Sequence, residues 1–430
     1  MSLPRYGQYK DSGVAWLGEV PGHWEVKRLK HSLSLLTEKT DRRTNPVALE
    51  NIESWSGRFI ATETEFAGDG VAFMQGDVLF GKLRPYLAKV LLADSEGEAV
   101  GDFHVMRPND AIAPRFAQYQ LLNRTFIDIV DGSTFGSKMP RASWEFVSSM
   151  PLVIPPMAEQ TAITAFLDRE TAKIDALVAE QEKLIALLQE KRQAVISHAV
   201  TKGLNPNAPM KDSGVEWLGE MPGHWEVRRI RDLSSFLTSG PRGWSERISE
   251  EGAKFIQSGD LTDELSIAFD EAKRVAVNDD AEAARTKLAD GDVVVCITGA
   301  KTGNVALCGV VPEDAYVNQH LCLIRPRPDI LPDLLAIYLK SDAGQRHFAV
   351  AQYGLKQGMS LENIKETPVL VPPIHEQRQI VEIARSTSVS IGALITAART
   401  AITLLQERRT ALVSAAVTGQ IDVRGWAKAA

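Results

Sequence analysis

Apolar residues at Ile163, Leu167, Ile174, Leu177, Leu184, Leu188 and Val195 fall at alternating spacings of four and three, interrupted by Glu170, Gln181 and Lys191. That periodicity predicts one long helix of coiled-coil character. A second stripe runs through Ile380, Ile391, Leu394, Leu405 and Leu412. Its helix is weaker, because residues 386–392 are rich in Ser, β-branched residues and Gly. Helices are expected over 157–200 and 374–417, each about 43 residues and on the order of 65 Å long. Neither stripe can face water alone, so the expected partner of each is the other, packed antiparallel.

The two stripes are copies. Residues 151–201 and 368–418 align without gaps and agree at 20 of 51 positions. Each copy enters through Pro-Pro, which suits an extended approach and then a first helical turn. Each stops near a glycine, Gly203 or Gly419. A second repeat lies upstream: KDSGVAWLGEVPGHWEVKRLKHSLSLLT at 10–37 and KDSGVEWLGEMPGHWEVRRIRDLSSFLT at 211–238 agree at 19 of 28 positions. The chain is therefore a tandem duplication with a junction at 204–210, and its units are far too long for a solenoid. Trp16, Leu17, Trp24, Trp217, Leu218 and Trp225 are expected to be packing anchors around a Pro-Gly turn. His23 and His224 follow that turn with no carboxylate at a telling spacing, and a structural role is expected for both.

Between the repeats the pattern changes. Short β-rich runs such as GDVLF at 76–80 and GDVVV at 291–295 alternate with turns, and helices are expected over 113–130 and 332–353. The fold class is α+β: two globular domains separated by two long antiparallel coiled-coil helices, a pseudo-twofold internal duplication. The segments are 1–150, 151–203, 204–367 and 368–430. Beyond a few landmarks the two central regions do not align, as expected of one frame carrying two diverged surfaces.

Composition changes little. At 44% hydrophobic residues the chain is an ordinary globular one, no apolar run approaches membrane-spanning length, and MSLPRYGQYKDSG lacks the features of a signal peptide. Cytoplasm is the expected compartment. Three cysteines without CxxC spacing argue against both a disulfide framework and a zinc site. The net charge of −7 argues against a blanket nucleic-acid coat, so any DNA contact must come from local basic clusters.

Catalytic signatures are missing from the chain. No GxGxxG follows a strand, ITGAKTGN at 297–304 lacks the glycine a P-loop needs before its lysine, and there is no HExxH or GxSxG. The Pro-Pro pairs follow Ile and Val, unlike an amino-methyltransferase motif. These absences favour a binder over an enzyme. Basic and amide residues do cluster in Gly-containing loops, where backbone N–H groups approach phosphates and long polar side chains reach base edges. The candidates are Lys82, Arg84 and Lys89 near Tyr86, then Lys138 and Arg141, in the first unit. In the second they are Arg242, Lys301, Asn304, Lys356 and Gln357. A scaffold without DNA, or an enzyme of unrecognised site, are the alternatives.

WLGE-x-PGHWE in both units, GDVLFGKLRPYLAK, the LVIPPMAEQ and LVPPIHEQ entries and the LLQEKR and LLQERR helices resemble the specificity subunit of type I restriction–modification enzymes, across essentially the whole chain. The resemblance implies two target-recognition domains, each reading one half of a split double-stranded DNA target. It implies assembly with two methyltransferase subunits and with restriction–translocase subunits. S-adenosylmethionine, ATP and Mg are then expected on those partners, none in this chain, and no membrane is involved.

Overall fold

The computed structural model describes residues 4–42, 44–62, 69–136, 138–352 and 358–426. The chain forms two compact units, Met1–Glu182 with Arg399–Ala430, and Lys183–Ala398. The long helices span Met157–Lys202 and Ile374–Val417. Each unit therefore holds the start of one long helix and the end of the other. The compact bodies divide the chain differently from the four segments read along the sequence, because each α+β body packs with a share of both helices.

The pairing within each unit is antiparallel. In the first, Ile163, Phe166 and Leu167 share a core with Val413, Ala416 and Val417, and Arg409 Nε lies 3.1 Å from Asp175 Oδ1. In the second, Ala199 and Val200 share a core with Ile380, Val381 and Ala384. The seam differs from the expected one. Ile163, Leu167 and Ile174 are buried, but Leu177 and Leu184 are 51% and 42% exposed. On the other helix Leu394 is 54% exposed, and Ile391, Ile395 and Ala398 are buried instead. The buried positions from Ile391 still step by four and three, so the heptad spacing holds while the seam passes through Ile395 instead of Leu394. One further expectation is corrected: the helix Ile374–Val417 contains an 18-residue stretch, mean hydropathy 1.5, apolar and long enough to cross a membrane, of which 17% is buried. Its Ala, Ile, Leu and Val residues are interspersed with small polar ones, so no uninterrupted apolar run marks it in the sequence.

Both units repeat one topology. A hairpin (Tyr9–Asp11 with Glu19–Pro21; Met210–Asp212 with Glu220–Pro222) precedes a strand that pairs antiparallel with the segment entering the long helix. The central four-stranded antiparallel sheet has the order Leu33–Leu36, Phe103–Pro108, Val78–Gly81, Val90–Leu92 in the first unit. The second has Ser234–Ser239, Leu321–Pro326, Val293–Cys296, Val305–Leu307. FHVMRP thus corresponds to LCLIRP. In both, the arginine forks onto a buried aspartate, Arg107 on Asp77 and Arg325 on Asp292, with both bonds at 2.7–2.8 Å. A fully paired buried carboxylate ties the central strand to its neighbour. A smaller sheet diverges. In the first unit Gly97–Val100 lies between Gly70–Phe73 and Pro46–Val47, whereas in the second Ala253–Ile256 takes the inner place beside Ala315–Val317.

The expected helix 113–130 is two, Pro114–Leu121 and Arg124–Gly132, because the Asn123 side chain caps the second by accepting from Thr125 N. The expected helix 332–353 also splits, into Pro332–Lys340 and Asp342–Ala351. A Cβ on Gly344 would lie 2.5 Å from the Leu339 carbonyl oxygen, so only glycine permits that tight corner.

The repeated Glu-Gln pair explains the repeated N-terminal motif. Glu159 accepts from Trp24 Nε1 at 3.0 Å and meets His23 Nε2 at 2.6 Å; Glu376 does the same with Trp225 and His224, at 3.0 and 2.6 Å. The carboxylate that sequence spacing did not reveal thus comes from 136 and 152 residues downstream, and both histidines are structural. Gln160 and Gln377, both buried, each accept from the N–H that opens the first of the paired helices (Ala113, Leu331). Each also donates to two carbonyls, Ala111 and Pro155, or Asp329 and Pro372. Their amides are thereby fully used. The other long helix closes the same corner: Gly203 packs on Trp225 and Gly419 on Trp24 and Pro21. In the first unit the chain ends meet there, Asp422 N donating to Pro4 O at 2.7 Å. In the second, the equivalent corner is bridged by the covalent linker 204–209.

Partial burial pushes the Glu376 carboxyl up, but the Trp225 and His224 hydrogen bonds outweigh it and hold it below the usual range. A depressed carboxylate stabilises above its unfolded value and loses that contribution as pH falls through the folded one. Glu376→Gln is therefore expected to cost about 1 kcal/mol at pH 7. The gap from wild type in thermal unfolding should close as the pH falls below the ordinary glutamate range.

Candidate nucleic-acid interface

In the first unit, the loop after strand Val78–Gly81 reverses through two left-handed non-glycine residues, Arg84 (φ 51°) and Ala88 (φ 46°). Such conformations persist only where surrounding bonds over-determine them. Here Arg84 N donates to Pro140 O at 2.9 Å and Ala88 N to Pro85 O at 2.8 Å. The loop at 134–142 docks alongside, with Ala142 N donating to Lys82 O at 2.9 Å and bridges pairing Arg141 with Leu83 and with Phe135. Four candidates distant in sequence, Lys82, Arg84, Lys138 and Arg141, are thus brought onto one face. Arg84 and Lys138 are exposed, with no side-chain partner among the described residues. Arg141 forks onto Asp102, both bonds at 2.9 Å, and Lys82 Nζ stands 3.9 Å from the same carboxylate. Between these cations Phe135, Met139 and Tyr86 are 79%, 51% and 48% exposed. Lys89 is not part of the face. Its ammonium donates to Leu49 O at 2.6 Å, and burial holds it below the ordinary lysine range.

The second unit builds the corresponding face with other chemistry. Met359 N donates to Ile297 O and Thr298 bridges Gly358, repeating the docking of the two loops. The residue before the central strand is Asp102 in one unit and His320 in the other. Lys82 N donates to Asp102 O at 2.9 Å, and Ile297 N to His320 O at 2.8 Å. His320 Nδ1 hydrogen-bonds the Thr298 hydroxyl, and its Nε2 lies 3.2 Å from Gln319 Nε2. Arg242 is exposed, and its segment is held against residues 317–318 because Gly240 lacks a side chain. A Cβ there would lie 2.0 Å from Val317 O. Lys301, on an exposed turn, donates to Gly259 O at 3.2 Å. Asn304 points inward: it donates to Leu261 O and accepts from Lys340 Nζ at 2.6 Å. Lys356 and Gln357 lie outside the described residues.

Sequence reading missed Asp102, Phe135, Thr298, Gln319 and His320. Aligning FHVMRP with LCLIRP was the available signal for positions 102 and 320.

Other chemistry is scarce. Among the described residues no three His, Cys, Asp or Glu side chains gather as a metal site. All three cysteines are buried, and burial pushes their thiols up, Cys308 to about 12, which disfavours the nucleophilic thiolate. A cavity of about 640 Å³ in the first unit is lined by Arg115, Asp168, Asp175 and Arg409, but these pair with one another.

Residues 222–388 match the family model described as type I restriction modification DNA specificity domain. The chain is 26% identical over 294 residues to the type I restriction enzyme EcoKI specificity subunit of Escherichia coli K12, covering 64% of this chain and 59% of that protein. With the EcoBI specificity subunit of E. coli the identity is 24%, over 60% of this chain and 55% of that one. The matches thus span somewhat more than half the length of these two relatives. A putative MjaX specificity subunit from Methanocaldococcus jannaschii is 20% identical, over 95% of this chain and 96% of the relative. Among solved structures, a chain from a study of complex assembly and conformational transition of the type I R-M system superposes with a TM-score of 0.73 at 18% identity, over 93% of this chain and 98% of that one. The HsdS subunit from Thermoanaerobacter tengcongensis gives 0.52, also at 18% identity, over the same shares. These two likenesses show the fold.

Committed and free cations should separate in stability measurements. Lys89→Ala and Asn304→Ala, which strip partners from part-buried groups, are expected to lower the unfolding free energy by about 1–3 kcal/mol. Arg84→Gly, Lys138→Ala and Arg242→Ala should stay within about 0.5 kcal/mol of wild type or, at the left-handed Arg84, gain stability. Chemical denaturation of the full chain checks both.

Proposed function

We propose that this chain, which belongs to the family of type I restriction–modification specificity subunits, recognises an asymmetric, bipartite double-stranded DNA target. In this reading each α+β body reads one half-target. The bodies are the target-recognition domains within residues 1–150 and 204–367, and the long helices of 151–203 and 368–430 are the frame. The observation that carries the reading is the pair of faces at equivalent places in a duplicated topology. One is built from Lys82, Arg84, Lys138 and Arg141, the other from Arg242, Thr298, Lys301, Gln319 and His320. Equal geometry with unequal side chains suits two different half-targets and an unread spacer between them. The chain's charge of −7 is compatible, because the cations are concentrated on the loops.

In the same reading the chain is not itself an enzyme. Two methyltransferase subunits supply S-adenosylmethionine and methylate adenine at N6, and restriction–translocase subunits use ATP and Mg. Exposed apolar residues along the long helices, Leu177, Leu184, Leu187, Val389, Leu394 and Leu404, suit the docking of partner proteins. In the same reading the complex acts on genomic DNA in the cytoplasm.

Exchanging residues 40–150 for those of a relative is expected to change one half-target and leave the other and the spacer intact; a methylome of cells carrying the chimera reads this directly. If both halves changed together, the two-reader arrangement would be wrong. The isolated chain should transfer no methyl group from S-adenosylmethionine, and methylation should appear on adding methyltransferase subunits. In salt titrations of DNA binding, Arg84→Ala and Lys138→Ala should weaken all sequences alike and each reduce the log–log slope by about 1.

A further inference from the structure

Arg141 and Asp102 form an arrangement that a surface ion pair does not require. The carboxylate takes the Nε and Nη2 N–H groups, both at 2.9 Å, and so fixes the plane of the guanidinium. The edge formed by Nη1 and the remaining Nη2 hydrogen has no partner among the described residues, leaving two parallel donors on a side chain 45% exposed. Asp102 is itself anchored: it immediately precedes the central strand, its carbonyl accepts from Lys82 N, and its side chain is 22% exposed. Arg141 is held from the other side by its bridges to Leu83 and Phe135.

Charge decides what such a fork suits. A guanidinium facing a carboxylate, even one that Lys82 Nζ also approaches at 3.9 Å, has less net attraction for a phosphate than the exposed Arg84 and Lys138, which have no side-chain partner among the described residues. What a partly neutralised fork retains is direction. Two parallel donors at fixed spacing match the O6 and N7 acceptors that guanine presents in the major groove. Phe135, 79% exposed beside it, offers an apolar flank for the neighbouring base pair. At the equivalent place the second unit has His320 on Thr298 and, among the described residues, no arginine fork. The feature therefore belongs to one half-target.

We propose that Arg141, positioned by Asp102, reads a guanine in the half-target of the first unit. The inference rests on the DNA-reading function proposed above and adds the base, the reading side chain and its positioning residue. The test uses the full chain assembled with methyltransferase subunits, incubated with a randomised duplex library whose bound fraction is sequenced, for wild type, Arg141→Lys, Arg141→Ala, Asp102→Asn and Asp102→Ala. Wild type is expected to select G·C at one position of the half-target that residues 40–150 determine. Arg141→Lys and both Asp102 variants, which keep a cation on the face, should lose that single preference and keep the others. Affinity for the wild-type target should fall roughly tenfold to hundredfold. Asp102→Ala should bind unrelated DNA as well as wild type or better, since it removes a negative charge, and a folding defect would not do this. Uniform weakening across all sequences, retention of every preference, or loss confined to an A·T position would overturn the assignment. Wild type selecting no sequence at all would instead sink the parent reading.

Discussion

The structure depends on a buried corner made twice, where a Glu-Gln pair at the start of a long helix binds elements far away in sequence. Glutamate takes the His-Trp of the N-terminal motif, and glutamine takes the loop that opens the first helix of the α+β body. A buried glutamine with all its groups used, beside a part-buried carboxylate bonded to an indole N–H, tolerates little displacement, since each lost glutamine partner leaves a buried polar group unpaired. The corner joins three things: the N-terminal hairpin, the α+β body, and the ends of both long helices. That is why the motif and the helix entry, rather than the central regions, are the parts repeated almost unchanged.

The central regions bear a looser constraint. Their sheets need a buried aspartate–arginine fork, Asp77–Arg107 or Asp292–Arg325, and apolar faces on the remaining strands. The loops at the strand ends need only to dock against each other through backbone hydrogen bonds, which any side chain permits. Side chains at 84, 102, 138 and 141, and at 242, 298, 301 and 320, can therefore differ without disturbing the body beneath. A duplicated frame with two unlike faces follows from that division between constrained corner and free loop. Even the smaller sheet exchanges its inner strand between the units.

The long helices are a compromise. Their ends are buried in the corners, while in between Leu177, Leu184 and Leu394 stay exposed although their spacing would seat them in a seam. A heptad specifies an apolar face, but how deeply that face is covered depends on what else packs there. Two helices cover only part of each other's surface, and the remainder stays exposed.

The duplication, its order of parts, the two long helices and the anchor tryptophans were legible in the sequence, because they rest on local periodicity and repeated identity. So was the presence of basic loops. The sequence alone did not show the carboxylate partners of His23 and His224, which come from residues 159 and 376. Nor did it separate Lys89 and Asn304, bound into the fold, from Arg84, Lys138 and Arg242, which are exposed and without a side-chain partner among the described residues. Whether a lysine is a contact or a strut depends on which carbonyl lies within 3 Å, and only the tertiary structure sets that. Asp102 and His320 were hidden for the same reason. Their equivalence follows from strand register, and side chains vary too freely there for sequence identity to mark it. What repeats locally is written along the chain; what depends on a partner a hundred residues away is decided when the sheet closes.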